Sequence, residues 1–348
     1  MTSIVFENSD FNSTNASNNR INDFINEFVS MLPEGVELDV SNIGKSLSPA
    51  VIFGEILSMI RGEGIRDVVI MLLFSVFIIF LSSLYETRLT PMIEIGAGMA
   101  FLAGTTNSLY TLTDEVCRSL DKMSSFFASL TPLLVSVSVF GGGSNTAISS
   151  SMQMTLTASV LELISSRLLL PLISAMLVLG VLSTLGGSAI PRIQKTIRDI
   201  FTKALGLISV VSGILFTLQS VLASASDSAA LRLAKFTAQS VAPSVGTVIS
   251  SSMSTLASGV GYAKSIIGAG AVYAVISVML SPLPQLVLYR FAIGICQSFA
   301  EIMETKTFAR GLSGLRYALD ALVSVYLIFG ALFILQLILF VRSGASLS

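Results

Sequence analysis

Long apolar runs separated by polar stretches organise this chain, and they predict membrane-crossing helices. The clearest run covers residues 68–85, VVIMLLFSVFIIFLSSLY. Others cover 92–110, 168–187, 204–222, 285–299 and 322–341. A spanning helix needs ~20 apolar residues to cross ~30 Å of hydrocarbon, and most of these runs approach that length. Ahead of them, Ile21, Phe24, Ile25, Phe28, Val29 and Leu32 recur at helical spacing, and Pro33 and Gly35 end the pattern. A second short amphipathic helix starts at Ser48-Pro49, with proline at the first helical position, and runs to about residue 61. Both are too short and too charged to span, so they suit a membrane surface or the body of the protein. Residues 1–20 are Asn/Ser-rich and read as disordered.

The polar interruptions carry as much information as the runs. Residues 216–250, FTLQSVLASASDSAALRLAKFTAQSVAPSVGTVIS, lie between apolar runs yet carry Asp227, Arg232 and Lys235. They read as an amphipathic linker that ends at Pro243 and feeds a broken hairpin over 246–281, turning at Gly259 and Gly261. Residues 111–131 look like a matching charged linker, with Asp114, that ends at Pro132. The hairpin after it, 132–165, turns at Gly141, Gly142 and Gly143. An internal repeat, with a period of about 111 residues, relates the two. Under it Pro132 falls on Pro243, Pro171 on Pro282, Ser129 on Ser240, and Lys195-Thr196 on Lys306-Thr307. The repeat units are roughly 68–165, 168–281 and 283–341. They sit in a transmembrane domain, 67–342, behind an extracytoplasmic segment, 1–66.

The loop at 188–203 carries Arg192, Lys195, Arg198 and Lys203 against Asp199, which places it on the cytoplasmic side. Parallel repeats then put both termini and both linkers outside, and the chain closes only if the hairpins are re-entrant. The expected fold is all-α, a polytopic membrane bundle of six spans plus two re-entrant helical hairpins. Eight plain spans with Gly-rich packing faces is the alternative.

Composition narrows the chemistry. The 348 residues are 53% hydrophobic and 12% charged, about half the charge of soluble domains. The net charge of −1, without a basic patch, gives no reason to expect nucleic acid. No histidine is present, which removes Ser-His and Cys-His nucleophiles and His-ligated zinc. Cys117 and Cys296 are far apart, so no metal site and no cofactor is expected. Gly311-Leu312-Ser313-Gly314 fits a string of intramembrane serine proteases but has no histidine base. GGGSN at 141–145 lacks the Gly-Lys-Ser/Thr of a phosphate loop, and no ATP-binding motif appears. An enzyme is therefore not expected, and no catalytic residue is assigned. The first twenty residues show no basic-then-apolar signal peptide.

Ionisable residues at membrane depth are functional candidates by default. Arg290 lies mid-span, Glu94 just inside a span, and Glu162 and Lys264 in the two hairpins. They are candidates for a conduit lining or a buried polar pair. Their plainer readings are an interfacial acid for Glu94 and a structural ion pair for Arg290. Asp227, Arg232, Lys235 and Pro243, with Asp114 and Pro132 of the first copy, form candidate gating or docking linkers. Asp227 fits equally well as an N-cap for the helix that follows it.

The segments QSVLASASDSAALRLAKFTAQSVAPSVG and SIIGAGAVYAVISVMLSPLPQLVLYRFAIGI resemble the stage III sporulation protein AE family. The resemblance covers most of the chain after residue ~60 and is strongest over 216–300. It implies a multi-pass protein of the mother-cell membrane that faces the engulfed forespore of an endospore-forming bacterium. It also implies partners, namely ring-forming proteins and an ATPase-like protein of a channel complex, in which this family is the candidate permease. Members usually begin with a cleaved signal peptide. Two functions follow as expectations: a permease or channel-like subunit, or a non-conducting scaffold that anchors the ring and ATPase-like partners. The bilayer itself is a partner, and a homo-oligomer is left open.

Overall fold

A computed structural model describes residues 22–33, 54, 63–84, 90–185, 189–241 and 243–345. Every described element is helical, and the fold is an all-α bundle of the membrane type. A short helix, α1, covers residues 22–30. It is followed by α2 (Glu63–Leu84), α3 (Thr90–Phe140) and α4 (Ser144–Glu162). A π-helical segment, Leu163–Leu169, joins α4 to α5 (Leu170–Leu185). Then come α6 (Ala189–Val241), α7 (Pro243–Leu280), α8 (Leu283–Ile302) and α9 (Lys306–Ala345). Five helical stretches are long and apolar enough to cross a membrane, and Val68–Phe80 is a shorter apolar helix.

The main departure from the sequence reading is length. α3 has 51 residues and α6 has 53, about 76 and 80 Å at ~1.5 Å per residue. The expected span at 92–110, the charged linker at 111–131 and the first hairpin arm are one helix, with Pro132 inside it. The expected linker around Asp227 is the continuation of the preceding apolar run within α6. The cause is backbone hydrogen bonding. Where the surroundings are apolar, each N–H and C=O must find a partner within the chain. A charged stretch without Gly or Pro satisfies that by staying helical.

The two expected hairpins differ. Gly141–Gly143 does reverse the chain. Gly142 has φ 78°, and the Gly143 N–H reaches back to the Ser138 carbonyl at 2.8 Å. That left-handed step suits glycine. Gly259 and Gly261 do not turn: α7 runs through both without a break. Isolated glycines cost a helix only ~1 kcal/mol each, less than stranding backbone groups. Pro243 is instead the first residue of α7.

Two other interruptions sit beside prolines that the repeat aligns with each other. Pro171 follows the π-helical segment, and Pro282 separates α7 from α8. The other aligned pair differs in setting, since Pro132 is mid-helix and Pro243 begins a helix. α8 continues the path of α7 along α9 rather than folding back on α7: Lys264 meets Phe340, Val278 meets Tyr326, and Arg290 meets Asp320. α7 and α8 together therefore form one broken helix antiparallel to α9.

The core centres on α9, which packs against α3, α5, α6, α7 and α8. Its Gly314 lies against Gly180 of α5, where a methyl would come within 2.6 Å of the Gly180 Cα. Gly311 is likewise pressed on Leu102 and Thr184. The Gly311–Gly314 string is thus a close helix approach, and the Ser313 hydroxyl donates to the Arg310 carbonyl at 2.7 Å. The helix α1 docks on the bundle, with Phe28 fully buried and Phe24 edge-on to Phe140 at 6.0 Å. The second amphipathic helix, from Ser48, falls outside the described residues apart from Gly54.

Gly142→Ala is expected to destabilise the protein by roughly 1–2 kcal/mol, because only glycine adopts that backbone without strain. Gly261→Ala, whose added methyl meets nothing within 4 Å, is expected to be neutral or stabilising by up to ~1 kcal/mol. Unfolding of the purified protein in detergent checks both. The reverse order would place the turn at Gly261.

A buried polar seam as the candidate functional site

The helix α4 begins at the Gly143 turn with its first N–H groups unpaired, and Gly143 has no side chain to cap them. The cap comes from another helix. Asp227 of α6 is 1% exposed, and its two oxygens accept from the Asn145 N–H at 3.1 Å and the Thr146 N–H at 2.8 Å. Next to it, Asn145 Nδ2 donates to Ser226 Oγ at 3.1 Å. A carboxylate at a helix N-terminus also meets the positive end of the helix dipole. Asp227 is therefore an N-cap, but of a helix far earlier in the chain, not of the one that follows it.

Lys264 faces the same region from α7. Its side chain is fully buried, and Nζ lies 5.2 Å from the centre of the Phe340 ring. No hydrogen-bond acceptor meets Nζ, and Asp227 is the carboxylate whose field reaches it. A buried ammonium is costly unless a negative charge offsets it. The aromatic face and Asp227 together supply that offset. Asp227 thus serves two positive ends, the α4 N-terminus and Lys264.

Below this pair the seam continues between α4, α6 and α9. Gln153 Nε2 donates to Ser149 Oγ at 3.0 Å and to the Phe216 carbonyl at 3.3 Å. Gln336 Nε2 donates to the Gln153 carbonyl at 3.2 Å and to Thr157 Oγ1. Thr146 Oγ1 and Gln336 Oε1 are buried without partners. Both residues line a cavity of about 10 Å³, with Ser150, Ser220 and Phe340. That is room for about one water. The seam can hold charge and a water.

A second polar knot lies at the break between α7 and α8. Pro282 has no N–H, so the Val278 carbonyl four residues earlier loses its helical donor. Ser119 Oγ and Tyr326 Oη approach that carbonyl at 3.1 and 3.2 Å and each other at 2.6 Å. Ser281 donates to Glu115 at 3.3 Å. A third knot is ionic. Asp320 of α9, largely covered, takes Arg290 Nε at 2.6 Å and Arg198 Nη1 at 3.0 Å, and Arg198 also pairs with Asp199.

Of the predicted residues, the structure brings Asp227 and Lys264 together with the Gly141–Gly143 turn. Arg290 is half-exposed in its ion pair with Asp320 and lies apart from Lys264. Glu162 is exposed at the end of α4, and Arg232 is exposed on α6. Asp114 pairs with Arg118 one turn on, both at the surface. The side chains of Glu94, Lys235 and Pro243 lie outside the described set. Sequence reasoning misses Gln153, Gln336, Asp320, Ser119 and Tyr326. A glutamine inside an apolar run is the one signal that could have flagged Gln336. Among the described residues, no three of Cys, Asp and Glu group as metal ligands, and both cysteines are buried thiols outside any disulfide.

Asp227→Ala is expected to cost ~2 kcal/mol or more, since it strands two N–H groups and isolates Lys264. Adding Lys264→Met should recover part of that loss. Detergent unfolding of the two single variants and the double variant measures the coupling, and additive losses would show that the two side chains act independently.

A family model described as "Stage III sporulation protein AE (spore_III_AE)" matches residues 23–344. No curated protein and no solved structure matches the chain.

Proposed function

The chain belongs to the stage III sporulation protein AE family, and from that premise we propose that it is a membrane subunit that holds partners without carrying a passage through its buried polar seam. A sporulation family with several membrane-length apolar helices makes this a multi-pass sporulation membrane protein. The finer setting belongs to the proposal: the mother-cell membrane facing the forespore, with ring-forming and ATPase-like proteins around it. One observation carries the scaffold reading. The buried polar seam, where a conduit would be expected, has a cavity of about 10 Å³, enough for one water and not for a column. Arg290 and Glu162 do not open into it; they lie at the surface. In this reading the chain is not an enzyme, and any energy from ATP enters through a partner.

A second reading, a permease, has one observation in its favour. The broken helix of α7 and α8 has freed backbone groups beside Glu115, and broken helices at membrane depth form the sites of many transporters.

Single cysteines at Ser150 and Ser220 separate the two readings. With the seam closed they should react with a small membrane-impermeant thiol reagent no faster than the buried Cys117 and Cys296. Rapid labelling of both in intact membranes would overturn the scaffold reading. Under the permease reading, Glu115→Gln should abolish sporulation while membrane levels and partner association persist. Under the scaffold reading, sporulation should survive it.

A further inference from the structure

α9 serves as a ruler for the bundle. Against α6, its Gly314 lies by Gln194, its Asp320 takes Arg198, and its Leu335 lies by Gly213. Against α3, its Phe308 meets Phe101, its Tyr326 meets Ser119, and its Phe333 meets Phe127. The three helices therefore run parallel, and residues 114–122 of α3 and 192–203 of α6 lie around the height of Gly314 to Tyr326. This height is a belt of charge. Its exposed cations include Arg118 and Lys122 of α3 and Arg192, Lys195 and Lys203 of α6, with Asp121 the exposed acid beside them. The other acids there are largely committed: Asp199 and Asp320 to Arg198 and Arg290, and Asp114 to Arg118. Glu162 and Arg167, where α4 gives way to α5, add one exposed charge of each sign. The belt thus faces outward with a positive balance.

Apolar segments of α3, 92–110 and 123–140, stack below and above the belt. Each zone is about 27 Å tall at ~1.5 Å per residue. A bilayer offers ~30 Å of hydrocarbon, so it covers one zone and not both. Exposed charges at its centre are costly. Whichever zone the lipid covers, the belt therefore meets that bilayer at the level of its headgroups. The cations of α6 are arranged for such a level. Arg192, Lys195, Asp199 and Lys203 recur at i, i+3, i+7 and i+11, on one side of the helix. Asp199 is turned to Arg198, which leaves the three cations without an ion pair among the described residues. Beside them Ile193, Ile200 and Leu207, spaced seven apart, are 50–66% exposed.

We propose that Arg192, Lys195 and Lys203 form a binding surface for the phosphate groups of acidic phospholipids. Long cationic side chains reach a headgroup while their stems lie along apolar surface, and the exposed isoleucines beside them give the start of the acyl chains something to cover. A nucleic acid would call for aromatic side chains to stack on its bases, and the stripe holds none. A soluble acidic protein would match the cations but not the aliphatic stripe at a membrane surface. The acidic lipids concentrate in the cytoplasmic leaflet, so the contact holds the start of α6 on the side that basic residues prefer. Each cation near such a surface contributes roughly fivefold in affinity, and salt weakens it by screening. The lipid surface goes beyond the scaffold reading and does not depend on whether the chain conducts.

The test is lipid titration of the full-length protein in detergent, read by thermal unfolding and by the mass of intact protein–lipid complexes. Phosphatidylglycerol should raise the unfolding temperature and remain bound, and phosphatidylcholine at the same concentration should do neither. The variant Arg192→Gln/Lys195→Gln/Lys203→Gln should lose at least about tenfold in affinity for phosphatidylglycerol, whereas Lys195→Arg/Lys203→Arg should keep it. Monodisperse elution shows that each variant has folded. A photoactivatable phosphatidylglycerol, used on the native chain, should label residues 192–207, and this result decides the matter if the triple variant does not fold. The proposal fails if the two lipids act alike, if the folded triple variant binds phosphatidylglycerol as well as the native chain, or if the label falls elsewhere. Stabilisation by inorganic phosphate equal to that by phosphatidylglycerol would show a site for small anions and overturn the lipid surface.

Discussion

Among the described residues, the breaks and run-on helices answer one requirement, that no backbone N–H or C=O be left without a partner in an apolar setting. The helices run on through charged stretches because stopping would expose about eight such groups per break. At two of the described breaks another helix makes the repair. Asp227 closes the α4 N-terminus across the Gly143 turn. Ser119 and Tyr326 close the carbonyl that Pro282 leaves open at Val278. At the end of α8 the repair is local. Glu304 takes a positive φ of 57°, and the Thr305 N–H returns to the Ala300 carbonyl at 3.0 Å. Each repair between helices places a polar side chain inside the bundle, and Asp227 and Ser119 owe their buried partners to the breaks.

The same logic explains what can be read from the sequence. The apolar runs are where the sequence puts them, and the all-α membrane class follows from length and hydropathy alone. The triple glycine at 141–143 is a legible turn because three successive residues without Cβ make a left-handed step easy. Gly259 and Gly261 invite the same reading, but single glycines do not outweigh the hydrogen bonds of an unbroken helix. The join between runs is harder. Residues 111–131 and 223–241 are charged or small, which suggests a linker, yet neither holds a Gly or Pro. Absence of breakers is the signal, and hydropathy hides it. The partner of Asp227 is not legible at all, since nothing local ties position 227 to an N-terminus at position 144.

The continuity of the helices also changes what the charges mean. Read as loops, residues 111–122 and 188–203 would sit on membrane surfaces between spans and need no account. Read as the middle of helices about 76 and 80 Å long, they divide the molecule into two apolar zones of bilayer height. Asp320 is central to this division. It holds Arg198 from α6 and Arg290 from α8 at one height, so three helices pass their charge through the same level. The apolar run around Arg290 suggests a position deep in a span. Its depth is set instead by its neighbours, which bring two cations and an acid to that height.

Lys264 is buried without any helix break beside it. It is the one cation among the described residues that is fully buried within an apolar zone. A buried ammonium with no acceptor would ordinarily be replaced by an apolar side chain at a gain in stability. Here the field of Asp227 and the face of Phe340 hold it, while Asp227 is already committed to the α4 cap. Removing the lysine would leave the aspartate with the helix dipole and two N–H groups; removing the aspartate would leave the lysine with a ring alone. The dependence is therefore unequal, and Asp227 is the member on which the local packing of α4, α6 and α7 rests.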